Sequence, residues 1–233
     1  MPRLARPGAH DALLDAARVE FARRGLDGAR VEDIARRAGL SKGAFYLHFR
    51  TKEEAFAEIL QRLLGALEEH ARRRHEAVRE LDAAADRDPG DPAAAERRLE
   101  LECRLDTDLL GLLWLNRHLL AAFDTAGGPA SVRRVGDFRR RMRALVALRI
   151  SDRQRAGDLR SDVDPEVLGD LVVGTYEAFV RRMVDLPARP DLAAWVRSFT
   201  RVVYEGLLAP RASRVPAAPP STARRPRAAA GRR

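Results

Sequence analysis

From Leu13 onward, apolar residues return at helical rather than alternating spacing along almost the whole chain. Leu13, Leu14, Ala17 and Phe21 mark one face of a first helix, which stops at Gly25, a C-terminal cap. A short helix is predicted from about Val31 to Arg37, ending at Gly39, and Ser41 caps the next short one. Thr51 with Glu54 three residues later forms a capping-box pattern. It opens a long helix to about Leu81, whose apolar positions are Phe56, Ile59, Leu60, Leu63, Leu64 and Leu67. The stretch 82–92, "DAAADRDPGDP", reads as a linker, and Asp91-Pro92 starts a helix from 93 to about 105. Residues 108–123, "DLLGLLWLNRHLLAAF", are apolar nearly all round, which predicts a separate buried helix. Ser131 is placed to cap a helix to about Ala156. Asp164-Pro165 starts another to about Leu186, and "PARPD" precedes the last, about 191–208. The pattern predicts an all-α protein of nine helices without strands or repeats.

Composition narrows the class. At 233 residues the chain is long enough for a real core, and its Ala, Leu, Arg and Glu favour helix. No apolar run reaches the roughly 18 residues of a membrane span, and "MPRLARPGAH" lacks a signal-peptide core, so a cytoplasmic location with no membrane partner is expected. A single cysteine excludes an internal disulfide and a multi-cysteine metal site, and no cofactor is implied. The net charge of +9 is unevenly placed. Residues 209–233 hold seven arginines and no acid, whereas residues 61–208 balance. Basicity therefore says little about the folded body. The Pro, Ala and Arg of the tail predict disorder, with phosphate counter-ion exchange as its one available contact to DNA.

Within residues 1–60 lies a more specific signal. Two short helices joined by "AGLS" and packed on a third are the plan of a helix-turn-helix. Ile34, Ala35 and Leu40 are spaced to meet Phe45 and Phe49, which leaves Lys42, Tyr46 and His48 outward. An ordinary helical hairpin predicts interchangeable charged residues on such a face; a glycine, a tyrosine and a histidine are not that. Lys42 and Lys52 are, moreover, the only lysines in the chain. A lysine is a compact point charge where arginine is a bulky fork.

"VEDIARRAGLSKGAFYLHFRTKEEAF", with Phe21 and Gly25 before it, closely resembles the DNA-binding domain of TetR-type transcriptional regulators over about residues 10–57. The resemblance implies a helix-turn-helix domain over 1–51 (motif about 30–49), a helical ligand-binding and dimerisation domain over 52–208 and a basic tail over 209–233. Arg30 departs from the family, standing where a threonine usually caps the second helix. The DNA-facing set is then Arg30, Ser41, Lys42, Gly43, Ala44, Tyr46, Leu47, His48 and Lys52. Gly43 lets backbone approach DNA, Lys42 can donate to guanine acceptors, and Tyr46, His48 and Lys52 can donate to phosphates.

The second domain is less explicit. The last two helices carry broad apolar surfaces, including Leu168, Leu171, Val172, Thr175 and Phe179 on one and Trp195, Phe199 and Val203 on the other. The resemblance implies a homodimer through these helices; burial of both faces within one protomer is the competing reading. Trp114, Asn116, His118, Phe123, Phe138, Met142, Tyr176 and Phe179 are available to line an effector pocket, although ordinary core is the commoner role for such residues. His70 and His75 read as solvated, and the arginines of "RRVGDFRRRMR" as a solvent face. The whole points to a ligand-responsive repressor binding double-stranded operator DNA, with a net-neutral, apolar pocket for an unknown small-molecule effector. An effector-independent architectural DNA-binding protein is the alternative. No nucleophile–base pair, metal-ligand cluster or phosphate loop supports an enzyme.

Overall fold

The computed structural model describes residues 8–85, 93–123 and 128–207. Eight helices account for them: α1 (Ala9–Gly28), α2 (Val31–Arg37), α3 (Lys42–His48), α4 (Lys52–Ala85), α5 (Ala94–Phe123), α6 (Gly128–Arg155), α7 (Pro165–Val184) and α8 (Leu192–Leu207). The tail and the Asp91-Pro92 start signal lie outside the described residues.

The sequence predicted nine helices; the helices expected at 93–105 and 108–123 are one, α5. No glycine or proline stands between them, and the polar residues there are satisfied in helical geometry. Thr107 Oγ1 donates to the Cys103 carbonyl at 2.7 Å, and Asp106 is buried beside Arg74 of α4. The start of α6 also shifts. It begins at Gly128, so Ser131 is a buried residue of its first turns rather than the cap. Elsewhere the start signals act as read. The side chains of Ser41, Thr51, Asp164 and Asp191 each accept from a backbone N–H two or three residues on, at 2.8–3.2 Å. α2 begins at Arg30 without a side-chain cap.

α1 packs on α2, α4 and α5; α5 in turn packs on α4, α7 and α8, and α6 lies along α7. α6 and α7 approach closely at Gly169, where a Cβ would stand 2.9 Å from the Arg143 carbonyl oxygen. One buried cluster runs from Leu13, Phe21, Ile34, Phe45 and Phe56 through Leu110 and Trp114 to Met183 and Val196. The first three helices therefore share a core with the rest. α4 continues unbroken for 34 residues, about 50 Å, from the edge of α3 into the larger domain. Among the described residues no helix is long and apolar enough to cross a membrane.

Candidate nucleic-acid interface and cavity

The geometry of α2 and α3 follows from three local devices. Gly39 takes φ 68°, so its N–H reaches the Arg36 carbonyl at 3.1 Å while the Leu40 N–H reaches Ala35 at 2.9 Å, closing α2 in a Schellman motif. Ser41 caps α3 through the Ala44 N–H. Phe45 and Phe49 turn inward and are buried, their rings 5.4 Å apart against the Ile34 core. Seven residues of helix are thereby pinned with one face out.

On that outer face Ser41, Lys42, Gly43, Tyr46 and Leu47 are exposed, Tyr46 by 49% and Leu47 by 62%. Ala44 is half-buried. His48 is also half-buried, its ring edge-on to His10 of α1 with centroids 5.6 Å apart. Arg30 is exposed at the start of α2. Lys42 forms an ion pair with Glu32 of α2; that hydrogen bond holds the Glu32 carboxyl below its usual range and raises the Lys42 ammonium. Lys52 Nζ donates to the carbonyls of Asp27 (3.0 Å) and Ala29 (3.2 Å), tying the start of α4 to the α1–α2 turn. An ammonium carries three rotatable donors on one compact atom, whereas a guanidinium's donors are fixed in a plane.

Sequence reading missed what braces this unit. Glu20 of α1 is only 2% exposed; it accepts from Arg37 of α2 at 2.8 Å and lies 3.6 Å and 3.5 Å from Arg23 and Arg24. The signal was present, a carboxylate within the apolar stripe of Leu13, Ala17 and Phe21. Arg18 of α1 donates to Asn116 of α5, whose amide also donates to the Leu112 carbonyl at 2.8 Å. Asn116 thus joins α1 to α5.

Residues 13–59 match the family model for bacterial regulatory proteins of the tetR family. The chain is 28% identical to the HTH-type transcriptional regulator YdgC of Bacillus subtilis, over 84% of this chain and 91% of that one. It is 24% identical to the repressor DhaR of a Mycobacterium species over 88% and 95%. In structure it superposes on the ketosteroid transcriptional regulator KstR2 of Mycobacterium tuberculosis with a TM-score of 0.64 and 21% identity, over 86% and 95%. Residues 13–59 belong to the tetR family of bacterial regulatory proteins. The chain is a DNA-binding transcriptional regulator and not an enzyme.

A property of this TetR-family interface follows from Gly43. A Cβ there would meet only Ser41 Oγ, at 3.8 Å, so alanine fits the free protein without displacement. Gly43→Ala is expected to raise stability, by up to about 0.5–1 kcal/mol, because alanine loses less backbone entropy in a helix. The same methyl faces outward, so with α3 as the helix that enters a groove it would hold the backbone off the DNA, and weaker binding is expected. Thermal melting and fluorescence anisotropy together read the opposite signs.

α4–α8 line a cavity of about 280 Å³. Of the residues predicted to line it, Phe138, Met142 and Tyr176 do so. Trp114 is instead buried core with the Arg117 guanidinium 3.7 Å above its ring, and Asn116 makes the bond to Arg18. His118 lies off the cavity, its imidazole pKa lowered by burial and by Arg117. Phe179 packs on Trp195 at 5.2 Å, and the Phe123 side chain lies outside the described residues.

The cavity wall is apolar along Leu64, Leu67, Leu109, Leu113, Phe138 and Met142, but one end is charged, which corrects the expectation of a plainly apolar pocket. Arg74 of α4 lies 3.3 Å from Glu102 and 3.2 Å from Asp106 of α5; Arg153 of α6 lies 3.5 Å from Glu102. Tyr176 of α7 donates to Asp106, whose carboxyl pKa burial raises against the pull of Arg74. His70, expected to be solvated, lines the same end, its ring 3.1 Å from the Leu105 carbonyl, and burial lowers its pKa. Glu102 and Asp106 continue the stripe of Leu109 and Leu113 at helical spacing. Charges in that stripe were the available signal.

Of the residues expected to face a dimer partner, Leu171 is 56% exposed, and Val167 of α7 and Val202 of α8 are also open. Leu168 faces the other way, into a small core with Ile150 and Leu159. Val172, Thr175, Phe179, Trp195, Phe199 and Val203 are half-buried in the protomer. The arginines of residues 133–143 are largely engaged by acids, as in Arg139–Glu177 at 2.7 Å and Arg143–Asp170 at 3.0 Å.

Proposed function

We propose that this chain is a ligand-responsive repressor that binds an inverted-repeat operator as a homodimer and releases it when a small molecule fills the cavity. One observation carries the reading: the cavity is walled by α4, the same unbroken helix that starts beside α3 and is clamped there through Lys52. A ligand that moves α4 must move its tether to the helix-turn-helix. The names of DhaR and KstR2 as repressors support repression over activation. Leu171, Val167 and Val202, exposed on α7 and α8, support a two-fold interface.

In this reading Lys42 leaves Glu32 for a base edge, Tyr46 donates to phosphate, and the remaining N–H of Lys52 is available to the backbone. Selecting bound fragments from the protein's own genome should yield an inverted repeat with half-site centres about 34–36 Å apart or a multiple of that. On that site Lys42→Ala is expected to weaken binding roughly 10- to 100-fold and relax preference at one base position, whereas Tyr46→Phe weakens binding without changing preference. Equal affinity for the selected repeat and random duplex would favour an architectural protein instead. Unchanged affinity in both variants would reject α3 as the reading helix.

A further inference from the structure

We infer that the cavity takes a neutral, largely apolar molecule bearing a hydroxyl, held by hydrogen bonds to His70 of α4 and Thr200 of α8. The inference rests on the ligand-responsive reading above and names the class of ligand.

The charges on the wall argue against an ion, because they engage one another. Arg74 lies 3.3 Å from Glu102 and 3.2 Å from Asp106, and Arg139 lies 2.7 Å from Glu177. Arg153 lies 3.5 Å from Glu102 and 3.6 Å from Asp158. Burial raises the pKa of the Asp106 carboxyl, and Arg74 and Arg149 both pull it down. Arg181 is exposed, where water screens it. An anionic ligand would have to draw a guanidinium away from Glu102, Asp106 or Glu177. An ammonium would have to draw a carboxylate away from its arginine. Either exchange leaves a buried charge uncompensated. A neutral ligand leaves the pairs as they stand.

Two uncharged side chains on the wall have hydrogen-bonding capacity to spare. His70 Nε2 stands 3.1 Å from the Leu105 carbonyl oxygen, which can only accept, so Nε2 carries the ring proton. Burial lowers the imidazole pKa, so the ring is neutral near neutral pH and Nδ1 keeps a lone pair. Thr200 is 5% exposed, and among the described residues its hydroxyl has no hydrogen-bond partner. By contrast, Thr107, Thr175 and Ser198 each donate to the carbonyl four residues earlier, at 2.7–2.9 Å. A buried hydroxyl left unpaired is costly, and a ligand that pairs it removes the cost.

The two groups share a level of the bundle. His70 bonds Leu105, the next residue Asp106 accepts from Tyr176, and Tyr176 packs at 5.9 Å on Phe199, the neighbour of Thr200. A ligand hydroxyl between them donates to Nδ1 and accepts from Thr200. A carboxylate and an ether lack the donor, and an ammonium lacks the acceptor. Leu64, Leu113, Phe138, Met142, Val173 and Val203 on the same wall suit a hydrocarbon body. The volume, about 280 Å³, sits at the small end of ligand pockets, about 300–1,000 Å³.

The test uses four probes that share a decyl-length chain: 1-decanol, 1-methoxydecane, decanoate and decylammonium. Calorimetry on the full chain is expected to show 1-decanol binding at least roughly tenfold more tightly than either ion. Any apolar cavity disfavours ions, so the ether is the sharper comparison. It is expected to bind roughly three- to tenfold more weakly than the alcohol. His70→Phe should bring the alcohol down to the ether and leave the ether unchanged. Thr200→Val, a change of similar shape, should weaken the alcohol by a similar factor, whereas Thr200→Ser should not. The inference is overturned if either ion or the ether binds as tightly as the alcohol, if the alcohol ignores either His70→Phe or Thr200→Val, or if no probe binds. Anisotropy on the selected operator separates the two readings. Alcohol that binds with these dependences but leaves DNA bound upholds the ligand class and rejects the effector role. DNA release by an ionic molecule, with no binding of 1-decanol, does the reverse.

Discussion

Leu171→Asp is expected to leave a folded monomer whose affinity for the full operator is lower by about 100-fold or more. Leu171 is 56% exposed on α7, so within the protomer the change touches no buried packing and should cost no more than about 0.5 kcal/mol of protomer stability. In a two-fold interface the same residue meets its symmetry mate's surface, and two carboxylates desolvated there repel. Losing the dimer converts an intramolecular second contact into an independent one, a loss of roughly 10²–10⁴ in avidity. Phe199→Asp would be a poorer choice. Phe199 lines the cavity and packs on Tyr176 at 5.9 Å, so its loss would mix folding, ligand and assembly effects. Sedimentation velocity and anisotropy on one sample decide the matter. A variant that stays dimeric places the interface elsewhere, and a monomer with full operator affinity removes the inverted-repeat reading.

Phe45→Ala should destabilise the protein by about 3–5 kcal/mol, the usual cost of emptying a buried aromatic site. Its ring is fully buried, 5.4 Å from the Phe49 ring and within the same core as Ile34. Because that core is continuous with Leu110, Trp114 and Val196, a single unfolding transition should shift as a whole, by roughly 6–20 °C. Tyr46→Ala is the control. One residue away and 49% exposed, it should change stability by no more than about 0.5 kcal/mol while weakening DNA binding. Two separate melting steps in Phe45→Ala would show that the helix-turn-helix unfolds independently of the larger domain.

Local chemistry was enough for the helix-turn-helix. Gly39 and Ser41 act through neighbours within a few residues, and the two-sided spacing of Phe45 and Tyr46 assigns one inward and one outward without reference to the rest of the chain. The same local rule misjudged the 93–123 region. There Asp106 and Thr107 looked like a break, but Arg74, 32 residues away on α4, stabilises the carboxylate inside a continuous helix. The pocket residues show the limit more sharply. Asn116 and Trp114 had the right chemistry for a ligand site, yet Arg18 and Arg117 occupy them, while His70, read as solvated, lines the cavity. Periodicity tells which face of a helix is buried, because that depends on the helix alone. Whether a buried polar residue meets another side chain or an open cavity depends on which helix lies opposite and at what height, and only the tertiary packing of α4 through α8 decided that.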